Sequence, residues 1–115
     1  MKLYPLKFFA TTIVTIFLGI SIQAEQKAIN TIAFGSCLKQ NRPQPIWESV
    51  LSKKPDIFVL LGDNIYGDTR DMQKLKDKWN EFSSVPGFKK LRQNSRVLAI
   101  WDDHDYGEND AGKEF

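Results

Sequence analysis

Three short stretches of the chain carry side chains able to do chemistry. Gly35-Ser36-Cys37 ends in the single cysteine, and Gly62-Asp63-Asn64-Ile65-Tyr66-Gly67-Asp68 sets a phenol between two carboxylates. Trp101-Asp102-Asp103-His104-Asp105-Tyr106-Gly107 surrounds the single histidine with aspartates. Carboxylates gathered in one place without a cation repel one another and rise in pKa. Divalent or trivalent metal ions remove that repulsion and supply chemistry. Carboxylate oxygens suit hard ions such as calcium or iron(III), whereas a thiolate favours a softer transition metal, so a mixed set points to two unlike metals side by side. Each residue also has a plainer use. Asp63 could cap the turn after its strand, Tyr66 could pack, and Cys37 could be a buried inert thiol, a free reactive one or a metal ligand. His104 between Asp103 and Asp105 reads as functional, with Asp105 orienting the imidazole as carboxylates do for such rings.

The elements that must position these residues follow from the apolar pattern. Ile29 to Phe34, Asp56 to Leu61 and Arg96 to Trp101 are short apolar runs, each leading straight into one of the three polar stretches. The second and third are nearly continuous in apolar residues, which predicts strands buried on both faces. Pro45 opens a helix in which Ile46, Trp47, Val50 and Leu51 share a face, closed by Lys53-Lys54-Pro55. Met72, Leu75, Trp79 and Phe82 repeat at helical spacing as one stripe whose aromatics are expected in the core, and Pro86 starts a shorter helix through Leu91. The order strand, helix, strand, helix, helix, strand predicts an α/β fold of mainly parallel strands with helical crossovers. In such a sheet ligands bind beyond the carboxyl ends of the strands, where all three polar stretches fall.

The chain of 115 residues has room for one small domain. Lys2 and Lys7, two of its sixteen bases, fall in residues 1–24, which hold no acid; the remainder therefore balances its fourteen acids. No global basic field is left that would favour nucleic acid. Lys2 and Lys7, the apolar run Phe8 to Ile22 and Ile22-Gln23-Ala24 together read as a signal peptide over 1–24, which predicts a secreted or periplasmic product. An uncleaved anchor is the alternative, but the run is shorter than the roughly 20 residues a spanning helix needs. No stable membrane anchor is expected after cleavage.

Taken in order, the three motifs, with Arg42-Pro43-Gln44-Pro45-Ile46-Trp47 between the first two, resemble the alkaline phosphatase D (PhoD-like) family of the calcineurin-like metallophosphoesterases. The resemblance spans about Thr31 to Gly112. It implies that 25–115 is the N-terminal part of a metallophosphatase domain with that layered fold. Tyr66 stands where relatives of the wider superfamily carry a second aspartate, and Asp103 where they carry asparagine. The implied cofactors are iron(III) and calcium. Cys37 and Tyr66 would ligate iron, Asp63 would bridge, Asp103 would hold the calcium-like site, and His104 would act at the phosphoryl group with Asp105 behind it. The implied substrate is a small phosphate ester, monoester or diester, hydrolysed outside the cytoplasm.

Two rival readings come from the residues themselves. Cys37 activated by His104 would make a nucleophilic hydrolase, and the acidic stretch from Asp102 to Glu114 would make a non-catalytic calcium-binding module. The latter departs from the EF-hand spacing, because counting from Asp102 places His104 and Tyr106 at ligand positions. The family also draws ligands from later histidines and aspartates, and no second histidine is present. Incomplete metal coordination and little turnover are therefore expected of these 115 residues alone.

Overall fold

The computed structural model describes residues 28–115. The signal segment expected at 1–24 lies outside the described residues. Among them, no helix is long and apolar enough to cross a membrane.

The chain is an α/β fold around a three-stranded parallel sheet in the order β1-β2-β3. β1 spans Ile32–Gly35, β2 Ile57–Leu61 and β3 Arg96–Ile100. Ile32 pairs with Ile57 and Phe34 with Val59, while Val59 pairs with Leu98 and Leu61 with Ile100. Because side chains alternate across a strand, Ala33, Phe58, Leu60 and Val97 share one face, and Ile32, Phe34, Leu98 and Ile100 share the other.

Helices cover only the first of these faces. Helix α1 (Ile46–Ser52) starts at Pro45, whose fixed φ suits a helix start, and the chain turns away at Pro55. Helix α2 (Met72–Ser84) begins at Asp71, whose carboxylate accepts from the backbone N–H groups of Gln73 and Lys74. Pro86 occupies the first turn of α3 (Pro86–Asn94), so α2 must end and a new helix begin. Trp47, Phe58, Leu60, Ile65, Phe82, Phe88 and Leu91 form the core beneath them. Phe82 stacks on Phe88 at 4.3 Å, and Trp47 lies 5.4 Å from Phe88 and 5.6 Å from Phe58. Each such burial contributes about 1.5–3 kcal/mol, which is what holds the crossover helices on the sheet.

Three expectations need correction. β3 is not buried on both faces: Leu98 and Ile100 are exposed on the open face, and Ala99 is exposed as well. β3 is an edge strand among the described residues, and no layer covers its far face, so an apolar composition alone does not make it central. Ile46 and Met72, on the apolar faces expected of their helices, are also exposed, each in the first turn of its helix. The third polar stretch, which follows β3 as a polar segment in the sequence, is not a plain loop but folds into a short helix, α4 (Asp103–Tyr106).

Candidate metal centre

All three strands run the same way, so the segments that follow them emerge at one end of the sheet. Two backbone bonds continue the β1–β2 pairing past the strands: Cys37 N–H to the Gly62 carbonyl at 3.4 Å and Leu38 N–H to the Asp63 carbonyl at 3.1 Å. Here the backbone leaves its ordinary range. Cys37, Asp63 and Asp68 have φ of 59°, 49° and 48°, between them accounting for most of the left-handed non-glycine residues described. Such conformations cost of order 1–3 kcal/mol each and cluster where a side chain must be aimed. Gly67 is needed for a different reason. Its N–H donates to the His104 carbonyl at 2.8 Å, and a Cβ there would come within 2.6 Å of that same oxygen. The absence of a side chain lets the second motif pass directly beneath the third.

Asp63 is the centre of the arrangement. Its Oδ2 accepts from the Cys37 thiol at 3.6 Å and from the Tyr66 hydroxyl at 3.4 Å. Its Oδ1 is buried and has no hydrogen-bond partner. One ligand atom each from Asp63, Asp103 and His104 lie within 4.8 Å of one another. A thiol and a phenol thus meet the carboxylate at Oδ2, and a second carboxylate and the imidazole have ligand atoms close to it. The Tyr66 ring joins the two groups, its centroid 4.5 Å from that of His104.

The protonation preferences describe a site short of positive charge. Burial, and then the charges of Asp63 and Cys37, push the Tyr66 phenol up to about 12. Asp103 is held below the usual carboxylate range, chiefly by the backbone N–H of Asp110, which donates to its Oδ2 at 2.5 Å. Burial acts to lower the His104 pKa, but the hydrogen bond and charge of Asp68, with Asp103 and Asp63 behind it, prevail and raise it.

The histidine's partner differs from the one expected. Asp68 Oδ1 lies 2.5 Å from His104 Nδ1. Asp105 instead is almost fully buried and works on the backbone. It accepts from the N–H groups of Asn64 (2.7 Å), Ile65 (3.0 Å) and Asp102 (3.0 Å), and from the Asn64 side chain at 3.1 Å. The last of its backbone bonds completes a capping box with Asp102, which starts α4. Burial raises the Asp105 pKa against these donors. Asp105 therefore clamps the second motif to the third, and Trp79 fixes the clamp from α2 by donating to the Asp105 carbonyl at 3.0 Å. Asp68 carried no sign of its role in the sequence beyond being a carboxylate next to a glycine.

The rival arrangements lack their contacts. No hydrogen bond joins Cys37 to His104 among the described residues, since the thiol faces Asp63 and the imidazole faces Asp68. The acidic stretch does not converge on a point of its own. Glu108 pairs with Arg70 at 2.8 Å, Glu114 accepts from the Gly112 N–H, and Asp110 accepts from Asn109.

The chain matches no family model, no curated protein and no solved structure. Its own donors must carry the chemical reading. Among the described residues Asp63, Asp103 and His104 form one group that could hold a metal ion, and the Cys37 thiol and Tyr66 phenol meet Oδ2 of the same Asp63 carboxylate, whose Oδ1 is buried without a donor. The site is open at the carboxyl end of the sheet, with Cys37 exposed. A groove of about 580 Å³ at the other end runs along Leu51, Lys54, Lys90 and Asn94 and shares no residue with it.

Proposed function

We propose that the chain is part of an exported, metal-dependent phosphoesterase of the alkaline phosphatase D (PhoD-like) type, with the layered metallophosphoesterase fold and with iron(III) and calcium as its metals. The observation that carries this reading is Asp63, a carboxylate that meets a thiol and a phenol, lies close to a second carboxylate and an imidazole, and keeps one buried oxygen unpartnered among the described residues. Cys37 and Tyr66 would hold the iron, Asp63 would be shared, and Asp103 would hold the calcium. A calcium ion takes roughly six to eight oxygens, so groups besides Asp63 and Asp103 are required to complete it. When bound, such a pair lowers the pKa of water and neutralises charge on a phosphoryl group.

The residues divide the remaining work. His104 has its Nδ1 committed to Asp68, which leaves Nε2 for the phosphoryl group or the departing alkoxide oxygen. The Asp68 carboxylate at Nδ1 orients the ring for that role. Asp105 acts at one remove by holding Asn64, Ile65 and α4 in register. The substrate class is small phosphate esters, met outside the cytoplasm.

The test is to add iron(III) and calcium to the purified chain and record its visible absorption and its hydrolysis of 4-nitrophenyl phosphate. A phenolate-to-iron band that disappears in Tyr66→Phe is the expected result, with any hydrolysis abolished by a chelator. A protein that stays colourless with iron(III), or a hydrolysis that survives chelation, contradicts the reading.

A further inference from the structure

One cation stands beside this site without a carboxylate of its own. The Lys39 ammonium lies over the Tyr66 ring, 4.7 Å from its centroid. That ring's hydroxyl reaches Asp63, and its other contact is His104. The neighbouring cations are already committed: Lys78 donates to the carbonyls of Tyr66 and Gly67, and Arg70 pairs with Glu108. Lys39 makes no ion pair among the described residues.

Its backbone is fixed although its side chain is exposed. On one side Leu38 N–H donates to the Asp63 carbonyl; on the other, the buried Gln40 side chain accepts from the Tyr66 N–H at 3.0 Å. The Lys39 carbonyl itself accepts from the Gln44 side chain at 3.1 Å and the Arg42 N–H at 3.2 Å. The side chain thus starts from a fixed point, and its ammonium rests on the Tyr66 ring. An exposed cation–π contact is weaker than a charge-assisted hydrogen bond to a phosphate oxygen, so an arriving anion can draw the ammonium from the ring.

We propose that Lys39 sets the charge preference of the site, favouring the dianion of a phosphate monoester over the monoanion of a diester. This rests on the phosphoesterase reading and adds a substrate class to it. The metal ligands Asp63 and Asp103 set negative charge against bound cations, so Lys39 adds a positive side chain for the substrate at the Tyr66 side of the site, beside the His104 imidazole. By Coulomb's law a dianion gains more from it than a monoanion at the same distance.

The experiment is calorimetry on the chain loaded with iron(III) and calcium, titrated with inorganic phosphate and with dimethyl phosphate. The Lys39→Met variant should bind phosphate about tenfold more weakly, the loss of one charge-assisted contact. Dimethyl phosphate should weaken by less than about threefold, following its lower charge. Lys39→Arg, which keeps the charge, should stay within about threefold for phosphate. Equal phosphate binding by wild type and Lys39→Met overturns the proposal, as does a Lys39→Met protein that no longer loads metal. If the wild type itself fails to load metal, or loads it and binds neither anion, the phosphoesterase reading falls and this proposal falls with it.

Discussion

Asp56 precedes β2 and Asp63 follows it, and the two carboxylates live in opposite surroundings. Asp56 Oδ2 accepts from the N–H groups of Asn30 at 2.9 Å and Thr31 at 3.2 Å. Its backbone bonds to the Thr31 carbonyl and accepts from Arg96 N–H, so it stitches the approaches to all three strands together. Among the described residues Asp63 receives no backbone N–H on its carboxylate. It meets a thiol and a phenol, keeps one oxygen unpartnered and sits in a left-handed backbone conformation. A carboxylate with backbone donors is already satisfied and stabilises the fold. One with a buried oxygen and no backbone donor adds little to the fold and is left able to meet a cation. Asp105 belongs with Asp56 in this division, although it is adjacent to His104 in sequence.

The comparison can be tested by stability measurements, the largest effect first. Asp105→Ala leaves the N–H groups of Asn64, Ile65 and Asp102 without their acceptor. It should lower unfolding free energy by about 3 kcal/mol in urea titrations. Asp56→Ala should cost about 1–2 kcal/mol, because its donors can partly turn to water, and it should leave iron(III) binding unchanged. A loss of metal binding on removing Asp56 would break the division between the two ends of the strand.

Asp68→Asn tests the histidine's partner in metal-free protein. The folded pKa of His104 is raised, so the pair's contribution to stability is fully present below the ordinary imidazole pKa. It is lost as pH rises through the raised value. Removing the Asp68 charge should move the imidazole titration, followed by NMR, to lower pH, and should reduce that pH dependence to what Asp103 and Asp63 sustain. An unchanged titration would mean that Asp68 does not hold the ring. The smallest stability effect should be that of Asp63→Asn, within about 0.5 kcal/mol of wild type, since no backbone donor loses its partner.

Much of this was legible in the sequence, for physical reasons. The three apolar runs end in glycine or aspartate, so the strand ends and the polar stretches beyond them could be located. The alternation with helices required a parallel sheet, and a parallel sheet gathers those stretches at one end. The partner of His104 was not legible. Asp105 is its neighbour in the chain, but α4 turns that carboxylate inward, while Asp68 is brought to the ring by its own left-handed turn and by the bare backbone of Gly67. The exposure of β3 was hidden too, because Leu98 and Ile100 are apolar whether or not another layer lies over them. Lys39 looked like any surface lysine until Gln40 and Leu38 were seen anchoring it to the second motif.

The most direct measurement is an iron(III) titration of wild type and Asp63→Asn, followed by visible absorption, with urea unfolding on the same samples. The account predicts that wild type develops a phenolate-to-iron band, that Asp63→Asn does not, and that both unfold at nearly the same urea concentration. The same band at the same iron concentration in both proteins would contradict it, as would a variant that loses the band only because it has lost its fold.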